Sequence, residues 1–420
     1  MPLLGRRKEA PPVVPPPPSW QLIRTKAAQF EFKEAAALVP TVYANWWLSL
    51  VRQNPWHVVV ETVLCIFIVY LVFVKKPKRS RPELTEDLTE ELIAEWQPAP
   101  LVPEMDAVDK LILEESLVVE SFDSKNATVK LRAAAGGAPT SPKINLVSYD
   151  FLGLSGRPEL VDASSKTLDE YGCGSCGPRG FYGSVMPHIY VEEAMAKFMG
   201  TEAAISYSDT ASTQSSCVPA FAKRGDLLVV DEGIQEAIKT GVELSRAKVL
   251  YFKHNDVADL AAVLGKVRKD DRRLGRNPTK QRRFIVSEAI FKNDGTAAPL
   301  RDLVRLKSEY GYRLIMDESL SFGAVGKTGR GLVEEAIGIA NVRDVDVITI
   351  TLESSLASVG GVCVGSIEVV DHQRLSGAGY CFSASAPPFV SSAAVAGIKV
   401  LEAEPQTVAK LQKNVAVGAP

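Results

Sequence analysis

The scarcities of this chain bound it before its motifs do. Its 420 residues hold six cysteines, Cys65, Cys173, Cys176, Cys217, Cys363 and Cys381. They are too few and too scattered for a disulfide framework, and imply free thiols in a reducing compartment. There is no excess of positive charge: Lys+Arg number 48 against 50 Asp+Glu, for a formal net charge of −2. Without a global basic surplus to neutralise phosphates, nucleic acid is excluded as the expected partner. No internal repeat is visible. No small-residue cleavage site follows the longest apolar run, which also starts too late for a signal peptide.

That run is Trp56 to Val74, WHVVVETVLCIFIVYLVFV, with Glu61 as its one charge. Its length matches the roughly 20 residues of a spanning helix. Lys75, Lys76, Lys78, Arg79 and Arg81 crowd its C-terminal flank, and only Arg52 lies just before it. The positive-inside rule predicts a single-pass anchor with everything after residue 75 in the cytosol. Residues 1–18 include PPVVPPPP and cannot pack a core. Residues 20–38 read equally as a helix on the membrane surface or an ordinary solvated helix. Residues 77–105, rich in Pro, Glu and Asp, read as a linker with one short helix at Thr85–Trp96.

From about residue 145 the pattern alternates. With 46% hydrophobic residues the chain can bury one large domain. β-rich runs are expected at Ala203–Tyr207, Leu227–Asp231, Lys248–Phe252, Phe284–Glu288, Arg313–Asp317, Val345–Ile350 and Gly361–Gly365. Helical stretches fall between most of them, at Ile189–Met199, Ile234–Ser245, Val257–Val267 and Leu300–Tyr310. The fold class is therefore α/β: a mainly parallel sheet of about seven strands with helices on both faces. Ligands in such sheets bind beyond the carboxyl ends of the strands. The charged stretch Lys266–Arg283 interrupts the alternation. It reads as a solvated loop or helix end, or as a patch for CoA phosphates or an anionic membrane surface.

Four strings carry polar chemistry. Gly172–Gly183, GCGSCGPRGFYG, places five glycines in twelve residues, which exposes backbone N–H groups to a closely approaching ligand. Cys173-x-x-Cys176 inside it invites a metal or redox reading. No second pair accompanies it, so small packing residues fit better and no metal is expected. Tyr207–Gln214, YSDTASTQ, lies at a strand-to-helix junction, where it is either an anion turn or a Ser/Thr N-cap. Asp231-Glu-Gly-Ile-Gln235 leads on to Phe252-Lys-His-Asn-Asp256, for which a structural role with Asp256 as N-cap suffices. Arg313–Gly323, RLIMDESLSFG, ends a strand at Asp317 and runs into Gly326, Gly329, Arg330 and Gly331. The last segment, VDVITITLESSLASVGGVCVG between Val345 and Gly365, reads as strand, turn and a glycine pair.

Together these strings resemble the α-oxoamine synthases, pyridoxal-phosphate enzymes that condense an amino acid with an acyl-CoA. GCGSCGPRGFYG and DESLSFGAVGKTGRG are the most specific, and the likeness spans roughly residues 85–412. The resemblance implies the fold type I large domain of pyridoxal-phosphate-dependent transferases, preceded here by the single transmembrane helix. It places Asp317 where a carboxylate keeps the pyridinium nitrogen protonated. The stacking histidine's slot then falls on Gln235, that of the histidine facing the ring hydroxyl on Leu320, and that of the Schiff-base lysine on Ser354. A hydroxyl forms no imine with an aldehyde, so no catalytic residue is expected on this chain.

Within that family the combination with an anchor resembles the lysine-less long-chain-base subunits of serine palmitoyltransferase. That likeness implies an endoplasmic-reticulum heterodimer with a catalytic subunit 2, which binds pyridoxal phosphate covalently and condenses L-serine with palmitoyl-CoA to 3-ketosphinganine. Small activating subunits and Orm-type regulators are further implied partners. Family active sites lie at the dimer interface. The implied contributions to the partner's site are therefore Gly174, Cys176, Gly177, Arg179, Phe181 and Tyr182 from the loop, with Ser383 or Ser385 from Phe382–Pro388 facing the phosphate. The expected domains are a Pro-rich tail with the helix of undecided role (1–55), the span (56–74), a linker and the start of a small domain (75–144), the large domain (145–389), and the start of a C-terminal small domain (390–420). Family members continue beyond that point, so a truncated form, or a missing part supplied elsewhere, is expected. Two other readings remain open: a self-sufficient synthase using another lysine, Lys327 being nearest in sequence, and a purely regulatory membrane scaffold.

Overall fold

The structure, a computed structural model, describes residues 32–53, 55–74, 85–98, 100–102, 104–124, 127–134 and 136–418. The chain divides into two compact units, residues 1–104 and 105–420. In the first unit, helices run over Phe32–Gln53, Pro55–Val74 and Glu86–Glu95. The last is the short helix expected at Thr85–Trp96: Thr85 caps it, its hydroxyl accepting from the Leu88 N–H at 3.4 Å. The proline tail, most of 20–38 and the basic flank 75–81 lie outside the described residues. The apolar run does form a helix, whose side chains from Val59 to Phe73 are exposed. Among the described residues, however, no helix is long and apolar enough to cross a membrane, so the transmembrane element of the expected fold is not found.

The second unit starts with the helix Ala107–Glu115, where the Asp106 carboxylate accepts from the Asp109 N–H at 2.7 Å. Strands β1 (Leu117–Asp123), β2 (Thr128–Ala133) and β3 (Lys143–Ile144) follow as a small antiparallel sheet. No alternation of apolar and polar residues marks β1: it is exposed at every position and so lacks a buried face to betray it.

The large sheet comprises β4 (Ala203–Tyr207), β5 (Leu227–Asp231), β6 (Lys248–Phe252), β7 (Arg283–Glu288), β8 (Arg313–Asp317), β9 (Val347–Thr351) and β10 (Gly361–Gly365). Their order is β4-β10-β9-β8-β7-β5-β6. Every residue of β5, β7, β9 and β10 is buried, as strands covered by helices on both faces require. The sheet is mixed rather than purely parallel: β10 runs antiparallel to both β9 and β4. The connection explains this. A parallel neighbour needs a crossover of a dozen or more residues, and only 352–360 join β9 to β10. Gly360 makes the return possible with φ +123°, and a Cβ on Gly361 would sit 2.2 Å from the Thr213 hydroxyl. Ser354, on which the resemblance places the lysine slot, lies in this hairpin turn.

The run 266–283 resolves into the end of the helix Val257–Leu274, a left-handed Gly275, and a short 3-10 turn at Pro278–Lys280. Most of it is solvated, but its last residue is not. Arg283 opens β7 with its guanidinium 2.6 Å from Asp271, and both side chains are buried. Removing one member of such a pair strands a charge at a cost of about 3–5 kcal/mol, whereas replacing both by apolar groups is often neutral. Arg283→Met is therefore expected to lower the thermal midpoint sharply, and Asp271→Leu/Arg283→Met to recover most of the loss in the same melting experiment.

Candidate functional site

The carboxyl ends of β5, β7, β8 and β9 converge on Asp317, the last residue of β8. Asp317 is 3% exposed. Its carboxylate accepts from the hydroxyls of Thr349 at 2.6 Å and Ser319 at 2.8 Å, and from the Gln235 side-chain amide at 3.4 Å. Ser354 is buried, and its hydroxyl donates to the Ser319 carbonyl at 3.0 Å. The fold thus joins Gln235, Asp317 and Ser354 through Ser319, although they come from three separate segments. Leu320 follows directly and is half-buried. Lys327 is exposed and has no place in this cluster.

Two further carboxyls, which the sequence did not single out, are fully buried here. Glu288 ends β7 and accepts from the Gln235 N–H at 2.5 Å and the Lys292 N–H at 3.1 Å. Burial, reinforced by the charge of Asp317, pushes it up to about 7. Glu318 receives the Ser321 hydroxyl and the N–H groups of Leu332 and Val333, both at 2.9 Å. Burial pushes it, too, up to about 7, and raises Asp317 despite the hydroxyls that favour its charged form. The available signal for both glutamates was an acidic residue at or just past the end of an apolar strand.

These residues do not fit a pyridoxal ring held covalently by this chain. The Asp317 carboxylate is already engaged by three side chains, and no lysine amine takes part in the cluster among the described residues. The adjoining cavity, lined by Gln214, Cys217, Ser287, Asp317 and Thr349 among others, is about 10 Å³. That is room for roughly one water, far from the ~300–1,000 Å³ of a ligand pocket.

The glycine loop lies against the 382–388 turn of the same chain. Ser385 donates to the Gly183 carbonyl at 2.6 Å and, through its backbone N–H, to that of Gly177 at 2.9 Å. Ser383 donates to the Gly379 carbonyl at 2.5 Å. Buried His188 donates from Nε2 to Ala386 at 2.7 Å and accepts from the Val185 N–H at Nδ1; burial lowers its pKa, in keeping with that neutral form. Gly177 and Gly183 are buried because the loop closes on itself: a Cβ on Gly183 would meet the Gly177 carbonyl at 1.8 Å. Arg179 is buried as well, 2.9 Å from Glu192, with Nη1 donating to Ser206. Gly174, Cys176, Phe181 and Tyr182 are exposed, the two aromatic rings by 76% and 74%. The loop thus combines a bolted base with a rim of bare aromatic side chains.

A second polar cluster ties β5, β6 and the 291–298 turn. His254 Nδ1 lies 2.8 Å from Asp231, and its Nε2 lies 3.0 Å from Asp294 and 2.8 Å from the Thr296 hydroxyl. The ring stands edge-on to Phe291.

Residues 141–417 match the family described as aminotransferase class I and II. The chain is 43% identical over 359 residues to long chain base biosynthesis protein 1b of Oryza sativa subsp. japonica, covering 86% of this chain and 71% of that one. It is 39% identical over 368 residues to serine palmitoyltransferase 1 of Dictyostelium discoideum, covering 87% and 73%. The chain belongs to the serine palmitoyltransferase 1 family of class I and II aminotransferases. A solved structure described as SPT with PLP internal aldimine superposes with a TM-score of 0.63 at 27% identity, covering 74% of this chain and 76% of that one. Pyridoxal phosphate is thus the cofactor of this family's fold, and the α-oxoamine resemblance of the sequence agrees with these relatives. Within the family fold, Asp317 and Ser354 lie at the carboxyl edge of the sheet, where ligands of such sheets bind.

The His254 cluster yields a pH dependence. Burial disfavours the imidazolium, but Asp231 and Asp294 outweigh it and raise the pKa above the usual value near 6.5. A raised folded-state pKa confers stability that is complete below the unfolded value and lost as pH rises through the folded one. A melting-temperature profile from about pH 5.5 to 9 is expected to fall across that window. His254→Gln is expected to remove that part of the slope.

Proposed function

We propose that this chain is the non-catalytic subunit of a serine palmitoyltransferase, acting in the synthesis of sphingolipid long-chain bases. The lysine-bearing catalytic subunit 2 holds pyridoxal phosphate and condenses L-serine with palmitoyl-CoA to 3-ketosphinganine. The observation that carries this reading is the closure of the local pocket: Gln235 on Asp317, and Ser354 on the Ser319 carbonyl. Restoring one residue would not reopen such a pocket. The exposed Phe181 and Tyr182 on a loop anchored by Ser385 suit a contribution to the partner's site, since aromatic side chains on a fixed base suffer little entropy loss on docking. The exposed apolar helix Pro55–Val74 and the basic residues after it are the proposed attachment to the endoplasmic-reticulum membrane, with the α/β body cytosolic; the proposal rests on the sequence pattern, not on a spanning helix.

The test is to purify the chain alone and with its partner and to record the visible absorbance of a pyridoxal imine. The complex is expected to show it, with borohydride fixing the cofactor to the partner. The isolated chain, and equally its Ser354→Lys variant, is expected to show none, because Gln235 still occupies Asp317. An imine trapped on a lysine of the isolated wild-type chain overturns the proposal. For the anchor, protease added to sealed microsomes is expected to digest the segment after residue 75; protection of that segment would reverse the topology.

A further inference from the structure

The opposite edge of the sheet holds a second cavity, of about 570 Å³. It opens at the amino ends of β8 and β9, whereas Asp317 and Glu288 sit at the carboxyl ends. Strands of five residues at about 3.3 Å per residue separate the two by about 15 Å. The volume falls within the ~300–1,000 Å³ of small-molecule sites. Phe221, Phe284, Val347 and Val369 give it an apolar floor.

Its polar groups are unevenly satisfied. Arg313, the exposed first residue of β8, lines the cavity and has no side-chain partner among the described residues. Arg282 and Arg343 line it too, held by Asp226 at 3.0 Å and Glu202 at 3.2 Å. The Arg343 pair is largely exposed, and such pairs contribute little and exchange readily, whereas Arg282 is held on the buried carboxylate of Asp226. The wall's carboxylates are mostly spoken for. Asp346 takes the Lys307 ammonium at 2.5 Å and the Leu314 N–H at 2.8 Å, and Glu202 takes the Ile367 N–H as well as Arg343. Glu368 stands exposed at the rim, where the Ser366 hydroxyl holds its pKa down. The result is an apolar recess with one uncommitted guanidinium, Arg313, and a second, Arg343, in a loose surface pair.

We propose that this cavity binds a small amphiphile with a carboxylate head and an apolar body, the head received by Arg313 and the body lying on Phe221, Phe284 and Val369. A planar guanidinium offers paired donors that match a carboxylate. The site is independent of the cofactor region and of whether this subunit is catalytic.

The experiment uses the full chain with octanoate, and with octan-1-ol and octylammonium as arms of the same length and different head. Binding is measured by equilibrium dialysis, and a diazirine-bearing octanoate is used to map the labelled peptides. Octanoate is expected to bind, and photolabelling to fall on the apolar lining residues Phe221, Phe284, Val347 and Val369. Arg313→Gln is expected to weaken octanoate about tenfold, with Arg313→Lys intermediate, while leaving octan-1-ol unaffected. Octan-1-ol binding as tightly as octanoate, labelling elsewhere, or an unchanged affinity in Arg313→Gln would each overturn the proposal. Arg313 is exposed and its side chain pairs with nothing among the described residues, so the variant is expected to keep the wild-type melting temperature, which separates a lost site from a lost fold.

Discussion

A carboxylate sealed at the end of a central strand is the constraint on which the rest of this site depends. Asp317 is almost wholly buried and finds its donors within the chain. Thr349 comes from the neighbouring strand, Ser319 from the turn that follows, and Gln235 from beyond β5. Each of these donors is therefore held in place by the need of one anion. A side chain that stacked on a cofactor ring would leave Asp317 facing that ring; Gln235 faces Asp317 itself. Gln235, whose side-chain amide reaches Asp317, is the residue that lets the pocket close.

Buried acids are costly unless well supplied with donors, and this chain keeps three at the ends of the neighbouring strands β7 and β8. Glu288 and Glu318 are both raised towards neutrality by burial, so near pH 7 each is only partly ionised. Their roles are positional. Glu288 fixes the backbone of Gln235, and Glu318 holds the N-terminal amides at Leu332 and Val333. The glycine at 331 is required by that approach, since a Cβ there would come within 2.3 Å of the Glu318 carboxylate. Together the three acids bind the ends of β5, β7 and β8 to the loops above them.

Much of the large sheet was legible in the sequence. Ala203–Tyr207, Leu227–Asp231, Lys248–Phe252, Arg313–Asp317 and Gly361–Gly365 fall on strands with those same bounds, because each is a short apolar run closed by turn residues. The run expected at Val345–Ile350 begins two residues later, since Val345 caps the preceding 3-10 turn. Strand direction is not written in such runs, and the reversal at β10 is visible only in the shortness of the link before it. The site was partly legible. The positions of Asp317, Gln235 and Ser354 came from the family's spacing, but Ser319 and Thr349 look like any hydroxyls until the fold places them. Arg179 was read as an interface group from its place in the glycine loop, yet the structure buries it on Glu192. Sequence spacing identifies a loop's residues without telling which of them face inward.

The hairpin that carries Ser354 also sets an order of assembly. β4 hydrogen-bonds to one strand of the sheet, β10, with Tyr207 opposite Gly361. Almost the whole sheet is synthesised between these two strands. During synthesis β4 and the helix after it must wait, their apolar faces uncovered, until the last strand emerges and returns to them. Such long-range closure is slow and leaves an edge exposed to wrong partners in the interim. A turn of nine residues therefore bears on how long the nascent chain stays vulnerable.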